Sequence, residues 1–378
     1  MEFKVLRQSK KSRARLGILR TAHGDIETPA FVPVATRATV KTLTSEEAQE
    51  AGSQLLIANT YHLHLLPGEE RIKKSGGLHK FMNWDQPLMT DSGGFQAFSL
   101  GFGTDHGVGK VLKERLEKTA IAVNDQPEKL RITMDGIYFR SIVDGRKLFM
   151  GPNESITIQE ALGADIMFAF DECTSPLASH EYVKDSLERT HRWAKASLAA
   201  RRTKQALYGI TQGSHFKDLR EAGARYINSL GFDGFGIGGD FGADKKMMQK
   251  VLDWTLPLLD DRMPRHFLGI GHLADMEPIV KGGADTFDCT VPTHYARRGV
   301  AFTSAGRLNL KKQSFLADTS QLDKRCGCKV CATYRKNYIC HLFRAHEITG
   351  MRLLTYHNLF YFNNYVAELR VKIRRGQL

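Results

Sequence analysis

Three runs in the sequence end on a carboxylate just where a strand-like segment gives way to a turn. They are "PLMTDSGG" with Asp91, "DIMFAFDE" with Asp171 and Glu172, and "DTFDCTVP" with Asp288. A fourth run, "ALYGITQG", ends on the neutral Gln212. An uncompensated charge beside apolar strand residues is costly, so each acid needs a reason to be there. A structural reason is open to every one of them: Asp91, for instance, suits a helix cap or a bond to the Ser-Gly-Gly turn. Acids converging on one site without a nucleotide loop suggest chemistry at an acetal-like carbon instead. There a carboxylate attacks an anomeric centre, holds the sugar as a covalent ester, and releases it to a second acceptor with net retention. The glycine turns "DSGG" and "GIGG" let a flat ring approach the backbone closely. "GIGGDFG" lacks the G-x-G-x-x-G pattern of a dinucleotide loop.

A second constellation is "RCGCKVC", in which Cys326, Cys328 and Cys331 have the C-x-C-x2-C spacing of a metal knuckle. A closed zinc site needs a fourth ligand. Cys340, His341, His346 and His357 are the candidates, and spacing alone leaves the choice open. His357 falls among Leu353, Leu354 and Phe360 on a helical pattern, where a core histidine competes with a ligand.

Positioning such groups takes a scaffold. Eight β-rich or apolar runs recur between about residues 30 and 295: "FVPVAT", "LLIANT", the four runs above excepting "DTFDCTVP", then "FDGFGIGG", "HFLGIG" and finally "DTFDCTVP". Helix-compatible stretches such as 182–201 and 216–230 separate most of them. This alternation predicts an α/β protein with a parallel sheet, and the count suits a closed (β/α)8 TIM-type barrel with catalytic groups at the C-terminal strand ends. The pattern changes near residue 310. Residues 1–310 read as the catalytic barrel, with an N-terminal segment and an insertion near 101–130. Residues 311–378 read as a C-terminal zinc-binding subdomain with a helical tail.

The formal net charge is +13, and residues 311–378 carry 13 Lys and Arg against 4 Asp and Glu. That concentration suits a phosphate backbone as partner, although a solvated helical face has the same composition. Six cysteines in 378 residues do not make a disulfide scaffold. No apolar run reaches membrane-spanning length and the basic N-terminus lacks a signal-type apolar region, so a cytoplasmic protein without membrane contact is expected.

"NTYHLHLLPG", "TDSGGFQ", "FDECT", "GITQG", "FDGFGIGG", "FDCTVPT" and the cysteine knuckle follow one another in this order. In that combination the chain resembles the bacterial-type tRNA-guanine transglycosylases, from "TPAFVPVAT" to "LLTYHNLFYF". The resemblance implies replacement of the wobble guanine in GUN-anticodon tRNAs (Asp, Asn, His, Tyr) by a free 7-deazaguanine base. It also implies Asp288 as nucleophile and Asp91 as acid/base. Asp171, Gln212 and Gly239 would read the base, with Phe95 and Leu268 on its two faces and Asn59 near the ribose. It implies structural zinc on Cys326, Cys328, Cys331 and His357, the last from "LLTYHN", and a homodimer. Such a shell is full, which argues against a zinc hydrolase. The presence of both Asp288 and Asp91 argues against a noncatalytic tRNA-binding subunit of the same lineage.

Three positions depart from the family pattern. Asp240 replaces a usual Leu, and Gly242 replaces the Val usual in bacterial relatives, which makes room for a larger 7-substituent. Either 7-aminomethyl-7-deazaguanine or queuine is therefore admitted as the incoming base, including a queuine-specific salvage variant. His294 stands where an RNA-contacting Arg is usual, with Arg297 and Arg298 close by in sequence.

Overall fold

The computed structural model describes residues 1–94, 130–141, 143–239 and 245–378. Its first element is an antiparallel sheet of β1 (Glu2–Gln8), β2 (Arg15–Thr21) and β3 (Gly24–Thr28). A closed barrel of eight parallel strands follows. These are β4 (Ala30–Ala35), β5 (Leu56–Ala58), β6 (Leu88–Thr90), β10 (Ile166–Phe168), β11 (Ala206–Thr211), β12 (Gly234–Ile237), β13 (Arg265–Phe267) and β14 (Thr286–Cys289). Each of the eight runs picked out in the sequence overlaps one barrel strand. Between β6 and β10 lies a second antiparallel sheet of β7 (Leu130–Ile132), β8 (Ile137–Arg140) and β9 (Lys147–Met150). Most of the segment expected as an insertion, 101–129, falls outside the described residues.

Alternation along each strand sorts residues between two cores. Ala30, Val32, Ile57, Met89, Ile166, Phe168, Ala206, Tyr208 and Ile210 point inward and fill the barrel. Leu19 and Ile26 of the N-terminal sheet join that cluster, so the sheet plugs the barrel's N-terminal end. Neighbours such as Phe31, Met167, Leu207, Phe235, Ile237, Phe267 and Phe287 point outward beneath the helices. Strand β12 places glycines on its inward side. A Cβ on Gly234 would lie 2.5 Å from the Tyr208 ring, and one on Gly236 would lie 3.0 Å from that of Phe168. The rings of Tyr208 on the adjacent β11 and of Phe168 on β10 therefore occupy the space that β12 leaves.

Helices return the chain between strands. The stretches read as 182–201 and 216–230 appear as His180–Ala200 and Lys217–Asn228. Ser179 caps the first of these by accepting from Tyr182 N. After β14 come helix Val291–Arg297, the hairpin of β15 (Val300–Thr303) and β16 (Gly306–Asn309), and helices Lys329–Thr333 and Lys336–Arg344. The chain closes with the 27-residue helix Ile348–Arg374. This helix packs its Phe362 ring against Phe31 of β4 and Phe302 of β15, at 5.6 and 5.0 Å between centroids. Arg370 Nη1 also donates to Pro29 O at 2.9 Å, so the C-terminal region is seated on the barrel wall.

Candidate active site and metal centre

A cavity of about 390 Å³ opens at the C-terminal ends of the barrel strands. Asn59, Asp91, Asp171, Gln212, Gly239, Leu268 and Asp288 all line it. Seven residues expected from separate parts of the sequence are thereby brought to one place. Phe95, Asp240 and Gly242 lie outside the described residues.

Asp91 follows β6 in inward register and is held by its neighbours. Its Oδ1 accepts from Thr60 N at 2.9 Å and Gly93 N at 3.2 Å, and its Oδ2 accepts from Asn59 Nδ2. Asn59 has a second task, because its Oδ1 caps the helix Thr60–Leu65 through His62 N. Burial raises the Asp91 carboxyl from 3.8 to about 7, and the charges of Asp288 and Asp171 add to the rise while the Thr60 and Gly93 amides oppose it.

Asp288 is the inward residue two beyond Thr286 on β14. Its Oδ1 accepts from Gly269 N at 2.7 Å and lies 3.2 Å from His266 Nε2. His266 Nδ1 lies 2.8 Å from Thr286 Oγ1. An ionised carboxylate only accepts, so Nε2 carries the proton it shares with Asp288, while the Thr286 hydroxyl holds Nδ1 and sets the ring's orientation. His266 is fully buried, and the sequence reading missed it. Only the strand pairing reveals the link: His266 is in register with Thr286, which shares an inward face with Asp288.

Asp171 accepts from Ser92 Oγ at 2.6 Å and from Gln212 Nε2 at 2.7 Å. Strict alternation from Phe168 would turn Asp171 outward. The strand ends at Phe168, however, and Phe170 turns outward to pack against the tilted Trp193 ring, 5.0 Å between centroids, which lets Asp171 face the cavity. Gln212 Oε1 is buried without a hydrogen-bond partner among the described residues. Gly239, at φ +90°, sits where a Cβ would come 2.3 Å from that same oxygen. Gln212 Nε2 keeps a second N–H beyond the one given to Asp171, and Gly239 leaves its backbone edge bare beside it.

Cations crowd one side. His62 lines the cavity. Its imidazole is held below the ordinary range by burial and then by Arg37 and Lys41. Lys41 is likewise lowered by burial, then by Arg297 and Arg37. His294 is lowered by burial, then by Arg298, Arg297 and Lys41. The expected His294, Arg297 and Arg298 thus share their field with Arg37 and Lys41, two residues the sequence reading had not linked to them. Mutual repulsion of this kind is relieved by a polyanion.

The metal candidates converge elsewhere. Ligand atoms of Cys326, Cys328, Cys331 and His357 all lie within 4.8 Å of one another. The three sulfurs stand 3.8, 3.5 and 3.3 Å from His357 Nδ1. Zinc–sulfur and zinc–nitrogen bonds at a tetrahedral angle put those atoms about 3.5 Å apart, so this donor set fits the ion. His357 Nε2 lies 2.8 Å from Phe302 O, an acceptor that fixes the proton on Nε2 and leaves Nδ1 for the metal. Of the other candidates, Cys340 donates to Lys312 O at 3.4 Å, and His341 and His346 are exposed.

The family model described as queuine tRNA-ribosyltransferase matches residues 9–378. The queuine tRNA-ribosyltransferase of Listeria monocytogenes serovar 1/2a is 44% identical over 381 residues, covering 100% of this chain and 94% of its own length. That of Natranaerobius thermophilus is 44% identical over 377 residues, covering 99% and 95%. That of Pelotomaculum thermopropionicum is 42% identical over 380 residues, covering 100% and 96%. A match at this identity over nearly the whole chain means that it belongs to the queuine tRNA-ribosyltransferase family of pentosyltransferases.

Proposed function

We propose that this enzyme exchanges the wobble guanine of GUN-anticodon tRNAs for a 7-deazaguanine base through a covalent ribosyl ester on Asp288. The observation that carries the proposal is the meeting of Asp288, Asp91 and the Asp171–Gln212 pair in one cavity at the barrel mouth. Asp288, oriented by Gly269 N–H and His266, attacks C1′ of the extruded nucleotide. The C1′–N9 bond breaks, and the guanine leaves with its bonding pair on N9. Asp91, raised to about 7, is partly protonated at neutral pH and gives its proton to that nitrogen. It then takes the N9 proton of the incoming base, whose N9 attacks C1′ and releases the Asp288 carboxylate. Two inversions leave the ribose configuration unchanged.

Asp171 accepts from the donor edge of the base, while Gln212 and the Gly239 backbone address its carbonyl side. Leu268 covers one face, and Phe95 is assigned the other. Asn59 keeps Asp91 aimed at the ring nitrogen. The cluster of Arg37, Lys41, His294, Arg297 and Arg298 suits the phosphates flanking the anticodon, which position the RNA without reading its sequence. Zinc on Cys326, Cys328, Cys331 and His357 supplies a cross-link between the knuckle and the last helix. A homodimer completes the proposal. Among the described residues no helix is long and apolar enough to cross a membrane.

The test is Asp288→Asn, assayed for guanine exchange and for a trapped covalent RNA adduct. Both should be lost, and full exchange activity in that variant would overturn the mechanism. Exchange of 7-aminomethyl-7-deazaguanine and of queuine by the native enzyme decides between the two bases.

A further inference from the structure

A second group of ligating side chains lies at the opposite end of β10 from the cavity. Asp165 immediately precedes β10, whereas Asp171 follows it. Six residues of near-extended chain separate the two carboxylates by about 20 Å. His23 comes from the turn between β2 and β3, and His79 from helix Gly77–Phe81. Nδ1 of His23 is 2.8 Å from Asp165 Oδ1, and Nε2 of His79 is 3.2 Å from Asp165 Oδ2. One ligand atom from each residue falls within 4.8 Å of the other two. The imidazoles stack face to face, 3.5 Å between centroids and 14° between planes.

Both imidazoles stand in ion-pair range of Asp165, and the packing around them adds a further feature. Asp165 Oδ2 is already used by Leu88 N, which donates to it at 2.9 Å and ties the starts of β6 and β10. His79 Nε2 sits beside that oxygen without hydrogen-bond geometry and is buried with no hydrogen-bond partner among the described residues. The side chains are 3% exposed at Asp165 and 10% at His79, so water has little access to that nitrogen. His23, 39% exposed, forms the outer wall. A buried imidazole nitrogen, a second imidazole and an anionic oxygen therefore lie within reach of a single ion.

We infer that His23, His79 and Asp165 form a binding site for one divalent transition-metal ion of the zinc class at the N-terminal face of the barrel. Two imidazoles and one carboxylate select zinc, nickel, copper or cobalt over magnesium and calcium, which require oxygen shells. Metal–ligand bonds of about 2.1 Å set neighbouring donors roughly 3.0–3.4 Å apart, from octahedral to tetrahedral angles, so the 3.2 Å pair already fits and the 2.8 Å pair widens slightly. Imidazoles on one ion diverge from it, so binding opens the ring stack by about 1 Å. His23 makes that movement, because it sits on an exposed turn while His79 is enclosed. Water completes the shell on the open side, where the exposed Lys204 lines the adjoining cleft. The ion ties together three segments that are distant in sequence: the β2–β3 hairpin, helix Gly77–Phe81 and the start of β10.

The experiment uses the full chain with its cysteine cluster filled, verified by elemental analysis at one zinc per chain after dialysis. Zinc or nickel is then titrated calorimetrically, with magnesium as control. The expected result is one further ion per chain with micromolar affinity and a raised unfolding temperature, with no response to magnesium. His23→Ala and His79→Gln should each weaken this binding at least tenfold while retaining the first zinc and guanine exchange. Should His79→Gln fail to fold, the exposed His23→Ala carries the test alone. Saturation at one zinc per chain, or undiminished second-ion binding in His23→Ala, would overturn the inference.

Discussion

The raised carboxyl of Asp91 makes stability depend on pH in a way that one substitution should remove. In the unfolded chain Asp91 ionises near 3.8, whereas in the folded protein it holds its proton to about 7. Between those values the folded state binds one proton more than the unfolded state, so stability falls as pH rises. The contribution is complete below 3.8 and is lost as pH passes through 7. At about 1.4 kcal/mol per pH unit, the window amounts to roughly 4 kcal/mol. With an unfolding entropy of about 2.1 cal/mol/K per residue, a chain of this length should shift by about 5 °C. Asp91→Asn cannot titrate, so its melting temperature should gain on the native protein by about 4 °C between pH 4.5 and 7.5, the part of the window that range covers. The amide loses one acceptor toward Thr60 N, Gly93 N or Asn59 Nδ2. That loss offsets the variant equally at every pH and leaves the slope untouched. Calorimetric melts of both proteins across the range provide the measurement. A difference that stays flat with pH would refute the placement of a proton on Asp91. The companion variant Asp288→Asn should shrink the effect, because the Asp288 charge contributes to the rise.

Other residues give sharper local tests. His266→Leu removes a charge-assisted donor from Asp288, worth about 1.5–3 kcal/mol, so kcat should fall roughly 10- to 100-fold with KM for tRNA little changed. His266→Gln, which retains an N–H, should recover part of that loss in the same steady-state assay. Cys331→Ser should release the knuckle's zinc and lower the melting temperature, read by elemental analysis and calorimetry together. Gly234→Ala forces a methyl against the Tyr208 ring and should destabilise by about 1–3 kcal/mol in urea titrations.

The barrel was legible because each of its strands is a short apolar run closed by glycine or a polar group. Asp91, Gln212 and Asp288 were legible for the same reason, since strand ends are where a parallel barrel opens. The N-terminal sheet was not seen. "EFKVLRQ" leaves nearly all its residues exposed, so it lacks the apolar face that announces a strand. His266 hid inside "HFLGIG", where an apolar run gives no hint that its first residue reaches a carboxylate on the next strand. Arg37 and Lys41 are some 250 positions from Arg297, and only the closure of β4 against β14 makes them one surface. The inward turn of Asp171 follows from a break in alternation after Phe168, which pattern alone does not predict. His357 was the converse case: its apolar neighbours are the real surroundings of a residue that also meets three sulfurs.

The inward glycines of β12 have an evolutionary corollary. Tyr208 and Phe168 already fill the volume that side chains on Gly234 and Gly236 would need. Shrinking a ring first leaves a void, and enlarging a glycine first creates an overlap, so each single step toward another packing is penalised. The two arrangements are separated by a fitness valley that only paired mutations cross. Lineages of this enzyme should therefore drift slowly in the filled layer of the barrel. Adaptation to a different base should instead be recorded above it, from Gly238 outward.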